Sequence, residues 1–244
     1  MTVYRDEPKI KYRRADGKYL DTTLDRVQVA EIAKSIPVRD FRSYKGRKNY
    51  SGLYWSSKMM GHVAYESLLE KKRILLADFD ESVSAIAAQP FLLCGEDGGR
   101  IRKHVPDLML VTKGGIVTVV DVKPARRLHD PEVVAVFGWT ERLIARRGWA
   151  FEIWTGADEM LLKNVRYLAR YARRSVIRTE LLPIAVDLSG SCRTIGELEH
   201  ALSKYADIGL ARPAVLHLLW TRTLRAPLDA PLQAETPIFL GNKG

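Results

Sequence analysis

The sequence predicts an α/β protein with a mixed central sheet flanked by helices. Three observations predict it. Between residues 62 and 174, helical spacing and short β-branched runs succeed one another in the order α, β, β, β, β, α, β, α. Two of those runs, residues 104–111 (HVPDLMLV) and 116–122 (IVTVVDV), are joined by Gly114-Gly115, the signature of an antiparallel hairpin. The composition, 46% hydrophobic and 28% charged over 244 residues, is that of a folded chain with a sizeable core.

Taken in order, residues 1–26 are polar, with a hairpin expected around Asp16-Gly17. Residues 25–35 have helical spacing at Val29, Ile32 and Ala33, stopped by Pro37. From Arg39 to Ser57 the chain interleaves Phe41, Tyr44, Tyr50, Tyr54 and Trp55 with Arg and Lys. That mixture suits contact with phosphates and bases, or a loop packing its aromatics on the core. A helix is expected over His62–Ala77, with Leu68, Leu69, Leu75 and Leu76 inward and Glu66 and Glu70 one turn apart on one side. Strands follow at Ser82–Ile86 and Gln89–Leu93, then a turn at Gly98-Gly99 and the hairpin. Asp130-Pro131 opens a helix that runs to Arg147 and stops at Gly148; Trp149–Thr155 is a strand and Met160–Arg173 a helix. Beyond residue 175 the character changes. Thr194 caps an amphipathic helix to Tyr205, Pro213–Thr221 reads as a second helix, and Leu224–Leu240 reads as an extended pair. Helix, turn, helix and strand pair describe a winged-helix-like domain, as they do many small caps. The boundaries expected are therefore 1–61 for a basic N-terminal region, 62–175 for the α/β domain and 176–244 for the C-terminal domain.

The formal net charge is +10, with Lys and Arg clustered at Lys45–Lys48, Lys71–Arg73, Arg126-Arg127, Arg146-Arg147 and Arg173-Arg174. Such an excess favours a polyanionic partner, chiefly nucleic acid. The two cysteines, Cys94 and Cys192, lack metal-ligand spacing and fit a reducing cytoplasm. No apolar run is long enough for a membrane span, and the first residues, MTVYRDEPKIKYRR, have no apolar core for export.

The chemistry concentrates on the hairpin. Alternation puts Val117, Val119, Asp121 and Lys123 on one face of its second strand, and Asp107 lies on the first. An acid and a lysine at the end of an apolar strand are costly without partners. Two carboxylates meeting at a sheet edge offer oxygen ligands to a hard cation such as Mg²⁺, with Mn²⁺ as a substitute, and the Val122 carbonyl could add another. Lys123 would then orient a water or offset charge on a phosphate. Pro106-Asp107 followed by Asp121-x-Lys123 is the PD-(D/E)xK pattern of metal-dependent nucleases. Gln89 is read either as a support for the site or as an amide capping the strand end. His104, three residues before Asp107, is expected on the opposite strand face and is read as structural.

The central segment resembles the TnsA endonuclease subunit of heteromeric transposases. The matching residues are Ser67-Leu-Leu-Glu70, Asp80–Pro90 (DESVSAIAAQP), His104-Val-Pro-Asp107 and Asp121-Val-Lys123-Pro-Ala125, covering about residues 60–175. The resemblance implies a restriction-endonuclease-like fold with a winged-helix C-terminal domain, in a bacterial cytoplasmic protein. It implies Mg²⁺-dependent cleavage of double-stranded DNA at the 5′ ends of a transposon. A DDE-type transposase subunit would process the 3′ ends, and an ATPase regulator would join in target choice. Carried over, the helix glutamate is Glu70, with Glu66 the alternative; the metal acids are Asp107 and Asp121; the lysine is Lys123. Two rivals stand beside this expectation: a stand-alone restriction or repair nuclease of the same fold, and an idle DNA-binding subunit.

Overall fold

A computed structural model describes residues 7–39 and 50–241. The chain divides into two compact units, residues 1–156 and 157–244. The break thus falls ahead of the 175/176 boundary expected from composition. The helix at Glu159–Leu168 packs against a later helix of the second unit, which moves that helix out of the first.

The first unit is of the α/β class, and its sheets use more of the N-terminal sequence than expected. Strands β1 (Lys9–Arg13) and β2 (Tyr19–Thr23) form the hairpin foreseen around Asp16-Gly17, with Gly17 at φ +85°. A short helix α1 (Val29–Ile32) follows. Of the basic N-terminal region expected over 1–61, the described residues 7–39 contribute to the core of the first unit. Ile10, Tyr12, Leu24, Val27 and Ile32 are buried in the main core. The alternation Ile10/Tyr12 supplies one apolar face, enough to add β1 to a sheet. Phe41, Tyr44 and the Lys45–Lys48 cluster lie outside the described residues.

Strands β3 (Gly52–Ser56) and β4 (Gly61–Tyr65) pair as a hairpin. Here the expected helix is corrected: residues 61–65 are extended, and helix α2 spans Leu68–Phe79. Its start is fixed by a capping box. Ser67 Oγ accepts from Glu70 N at 3.1 Å, and Glu70 Oε2 accepts from Glu66 N at 2.8 Å. Glu66 therefore precedes the helix and is not one turn below Glu70 on it. The buried face is Glu70, Ile74, Leu75, Ala77 and Asp78, while Leu68 is exposed. Asp78 pins the β3–β4 turn: its carboxylate accepts from Tyr54 Oη, Ser56 Oγ, Ser57 N and Lys58 N at 2.6–3.0 Å. Tyr54, one of the aromatics considered for base contact, is occupied there. Ser67→Ala removes the cap and is expected to cost about 1 kcal/mol, read as a fall in the denaturant midpoint.

Strand β5 (Val83–Ala88) leads through Gln89-Pro90 into β6 (Leu92–Asp97) and β7 (Arg100–His104). The β6–β7 turn uses Gly98 and Gly99 at φ +61° and +84°. Strands β8 (Leu108–Thr112) and β9 (Val117–Val122) form the expected antiparallel hairpin, Leu108 opposite Val120. Helix α3 (Pro131–Arg146) is capped by Asp130, with Pro131 in its first turn. Strand β10 (Ala150–Trp154) lies parallel to β9. The result is two four-stranded sheets, β2-β1-β6-β7 and β10-β9-β8-β5; the second is mixed. Helix α2 packs against β5 and β9, and α3 against β10 and β7. Trp139, Leu143 and Ile144 of α3 share one core with Val117 and Val119 of β9, Met109 of β8 and Leu93 of β6.

The second unit holds α4 (Glu159–Leu168), α5 (Leu181–Ser189), α6 (Ile195–Leu202), α7 (Ile208–Trp220) and the two-residue strands β11 (Leu224–Arg225) and β12 (Phe239–Leu240). Thr194 caps α6 as expected, accepting from Glu197 N at 3.2 Å. Helix α7 begins earlier than Pro213, because Asp207 caps it by accepting from Gly209 N; Pro213 lies inside the helix, where its missing N–H forgoes one bond of the helical ladder. From Ala214 to Trp220 α7 is buried all round; only Ile208, Gly209 and Leu210 are exposed. Among the described residues, no helix is long and apolar enough to cross a membrane.

Candidate active site

The four side chains singled out in the sequence lie around one end of the β8–β9 hairpin. Pro106 has no N–H to donate, and the β8–β9 pairing stops at Leu108–Val120. The Val122 N–H, left without a ladder partner, donates to Asp107 Oδ2 at 2.7 Å. That bond fixes one oxygen of Asp107; among the described residues, no side chain donates to the other. The next residue, Lys123, continues β9 toward β10 through its N–H to the Trp154 carbonyl at 2.9 Å.

Asp107 reports the electrostatics. Burial pushes its carboxyl up to about 7, and the charges of Asp121 and Glu70 push in the same direction. The Val122 N–H and Lys123 pull it down without offsetting them. Asp107 thus feels both other acids and the lysine. Glu70 is 8% exposed, and burial raises its carboxyl too, against the bonds from Glu66 N and Ser67 and the charge of Lys123. Glu70, not Glu66, is the glutamate whose charge reaches Asp107.

Asp121 is 1% exposed and bonds to His104 Nε2, at 2.7 Å from Oδ2 and 3.0 Å from Oδ1. This corrects the expectation that His104 faces away from the site. Alternation predicts its side only along one continuous strand. The strand ends at His104 and the next begins at Leu108, and β7 and β8 belong to different sheets. Phe137 of α3 braces the same corner: His104 meets its ring edge-on, and Lys123 Nζ stands 5.9 Å from its centroid.

Gln89 adds a second feature missed by periodicity. Its backbone is left-handed, φ +44°, a conformation that costs a non-glycine residue about 1 kcal/mol. Its N–H donates to the Asp107 carbonyl at 2.8 Å and its carbonyl accepts from Val38 N, so it clamps the main chain of Asp107. The side chain is buried, and Oε1 has no hydrogen-bond partner among the described residues. The strand expected at Gln89–Leu93 therefore begins later, at Leu92.

The donor chemistry, three carboxylates and a main-chain carbonyl, fits a hard divalent cation; the carboxyl of Asp107 is raised chiefly by burial and then by the two acids beside it. The carboxylates are not drawn into a coordination shell. Among the described residues, no group of three or more His, Cys, Asp or Glu is so arranged, because Asp121 is turned to His104 and Glu70 closes its own helix cap. No protein-family model matches the chain, and no curated protein matches it.

Proposed function

We propose that the protein is a Mg²⁺-dependent DNA endonuclease subunit, hydrolysing phosphodiester bonds at the 5′ ends of a transposon beside a DDE-type transposase. The reading is carried by one observation: Asp107 and Asp121 leave neighbouring strands, Lys123 follows two residues on, and Asp107 registers the charge of Asp121, Glu70 and Lys123 together. The net charge of +10 supports a polyanionic substrate. The transposon context and partner rest on the likeness of motifs to the TnsA endonuclease subunits.

Asp107, Asp121, Glu70 and the Val122 carbonyl are the groups that would hold Mg²⁺ or Mn²⁺. When bound, such a cation supplies Lewis-acid activation of the phosphate and of the attacking water. Asp107 contributes its open oxygen and is held in place by the Val122 N–H and, through the main chain, by Gln89. Lys123 places an ammonium where charge accumulates on phosphorus and orients the water. No side chain forms a covalent bond to DNA: water attacks phosphorus, the P–O3′ bond breaks and the 3′-oxygen leaves and takes up a proton, so the products are a 5′-phosphate and a 3′-hydroxyl. In the second unit, DNA contact by α7 falls to its N-terminal part, where Ile208–Leu210 are exposed and Arg212, paired with Glu199, is half-buried, since Ala214–Trp220 is buried.

Strand-specific end analysis of DNA cut in Mg²⁺, with the chain alone and with a DDE transposase, tests the proposal. Cleavage only in the joint reaction, leaving 5′-phosphates, is the expected result. Robust cutting of plain DNA by the chain alone makes it a stand-alone nuclease. No cutting in either reaction makes it a DNA-binding subunit.

A further inference from the structure

We infer that His104 is a positioning residue for Asp121, fixing the carboxylate as a cation ligand from a different sheet. The inference rests on the nuclease reading above and goes beyond it: His104 opens one of the matched segments, but the resemblance gives it no role.

The argument begins with cost. A carboxylate that is 1% exposed requires a hydrogen-bond donor. Among the described residues, His104 is the side chain that bonds to Asp121. A carboxylate accepts hydrogen bonds, so Nε2 must carry the hydrogen, which fixes how the imidazole serves this contact. The ring has little freedom to leave. It is packed edge-on against Phe137, with centroids 6.3 Å apart at 62°, and its strand is paired at Leu93–His104. Strand β7 lies in the β2-β1-β6-β7 sheet and β9 in the other, so the bond ties Asp121 to a rigid element outside its own hairpin.

That arrangement is what a ligating carboxylate needs. Groups that hydrogen-bond a metal ligand set its orientation, and losing one typically weakens metal affinity about 10–100-fold. The shared brace strengthens the case: the Phe137 ring that holds His104 also faces Lys123 Nζ, so one aromatic side chain fixes the supports of both Asp121 and the lysine. A purely structural His104 would link the two sheets and lower stability when removed. It would leave the cation affinity of the folded protein unchanged.

Calorimetric titration of the full chain with Mn²⁺ alone separates these roles, with circular dichroism to confirm folding. Wild type, His104→Ala, His104→Gln, His104→Phe and Asp121→Asn are compared. The expected result is binding weakened about tenfold or more in His104→Ala at unchanged stoichiometry, with affinity largely recovered in His104→Gln, whose amide restores a donor. Wild-type affinity in folded His104→Ala overturns the inference. So does a loss as complete as that of Asp121→Asn, which would make His104 a ligand itself. Where His104→Ala fails to fold, His104→Phe keeps the ring packing without the donor, and wild-type affinity in it overturns the inference equally. Absence of Mn²⁺ binding by wild type has a different signature: it removes the nuclease reading and this inference with it.

Discussion

Asp107→Asn is expected to abolish DNA cleavage and, at the same time, to stabilise the metal-free protein near pH 8. The two effects have one cause. The carboxyl of Asp107 rises from 3.8 to about 7 on folding, chiefly through burial and then through Asp121 and Glu70. Between those values the folded state keeps a proton that the unfolded state has released. The stability owed to this group therefore falls as pH rises from about 4 to about 7, by about 1.4 kcal/mol per pH unit, and above pH 7 the deficit is on the order of 4 kcal/mol. Asparagine keeps an acceptor for the Val122 N–H and has no charge to desolvate. Urea titrations across pH 4–8 should show the decline in wild type and a flatter profile in Asp107→Asn; parallel profiles would contradict the argument. Cleavage should fall on the order of 10³-fold or more. In wild type, cation and proton compete for this carboxylate, so cleavage at limiting Mg²⁺ should rise with pH up to about 7.

Lys123→Met is expected to lower cleavage about 10²–10³-fold while leaving DNA affinity nearly unchanged. Methionine retains an apolar stem over the Phe137 face and loses the ammonium. A second signature distinguishes electrostatic loss from misfolding. Lys123 lowers the carboxyls of both Asp107 and Glu70, so its removal should move the alkaline rise in cleavage to higher pH. Lys123→Arg should rescue poorly, because a planar guanidinium replaces a compact charge. Full activity in Lys123→Met would remove the lysine from the chemistry.

The hairpin at the centre of this account was legible because it is local. Gly114-Gly115 and the β-branched run 116–122 specify β8 and β9, and Asp130-Pro131 specifies the start of α3. What sequence periodicity missed is non-local or terminal. Residues 61–65 pair with β3, and the Ser67/Glu70 capping box starts α2 only after them, so an apolar helical stripe drawn from His62 misplaced both its start and its buried face. His104 was misassigned because strand alternation was carried across Val105–Asp107, where the chain changes sheets. Gln89 sits in a left-handed turn that Gln seldom adopts, so a strand was the natural expectation. The polar strands β1 and β2 join a sheet through two inward side chains, Ile10 and Tyr12, too weak a pattern to detect alone. The carboxylate cluster was legible as a set of residues; its coupling to a buried cap and a histidine was not.

Crystals grown with Mn²⁺ and measured at the manganese absorption edge address the site itself. The account predicts an anomalous peak within bonding distance of Asp107 and Asp121, with Lys123 Nζ nearby and the peak lost in Asp107→Asn. A peak elsewhere, or a Mn²⁺-saturated crystal with none beside Asp107, would contradict it.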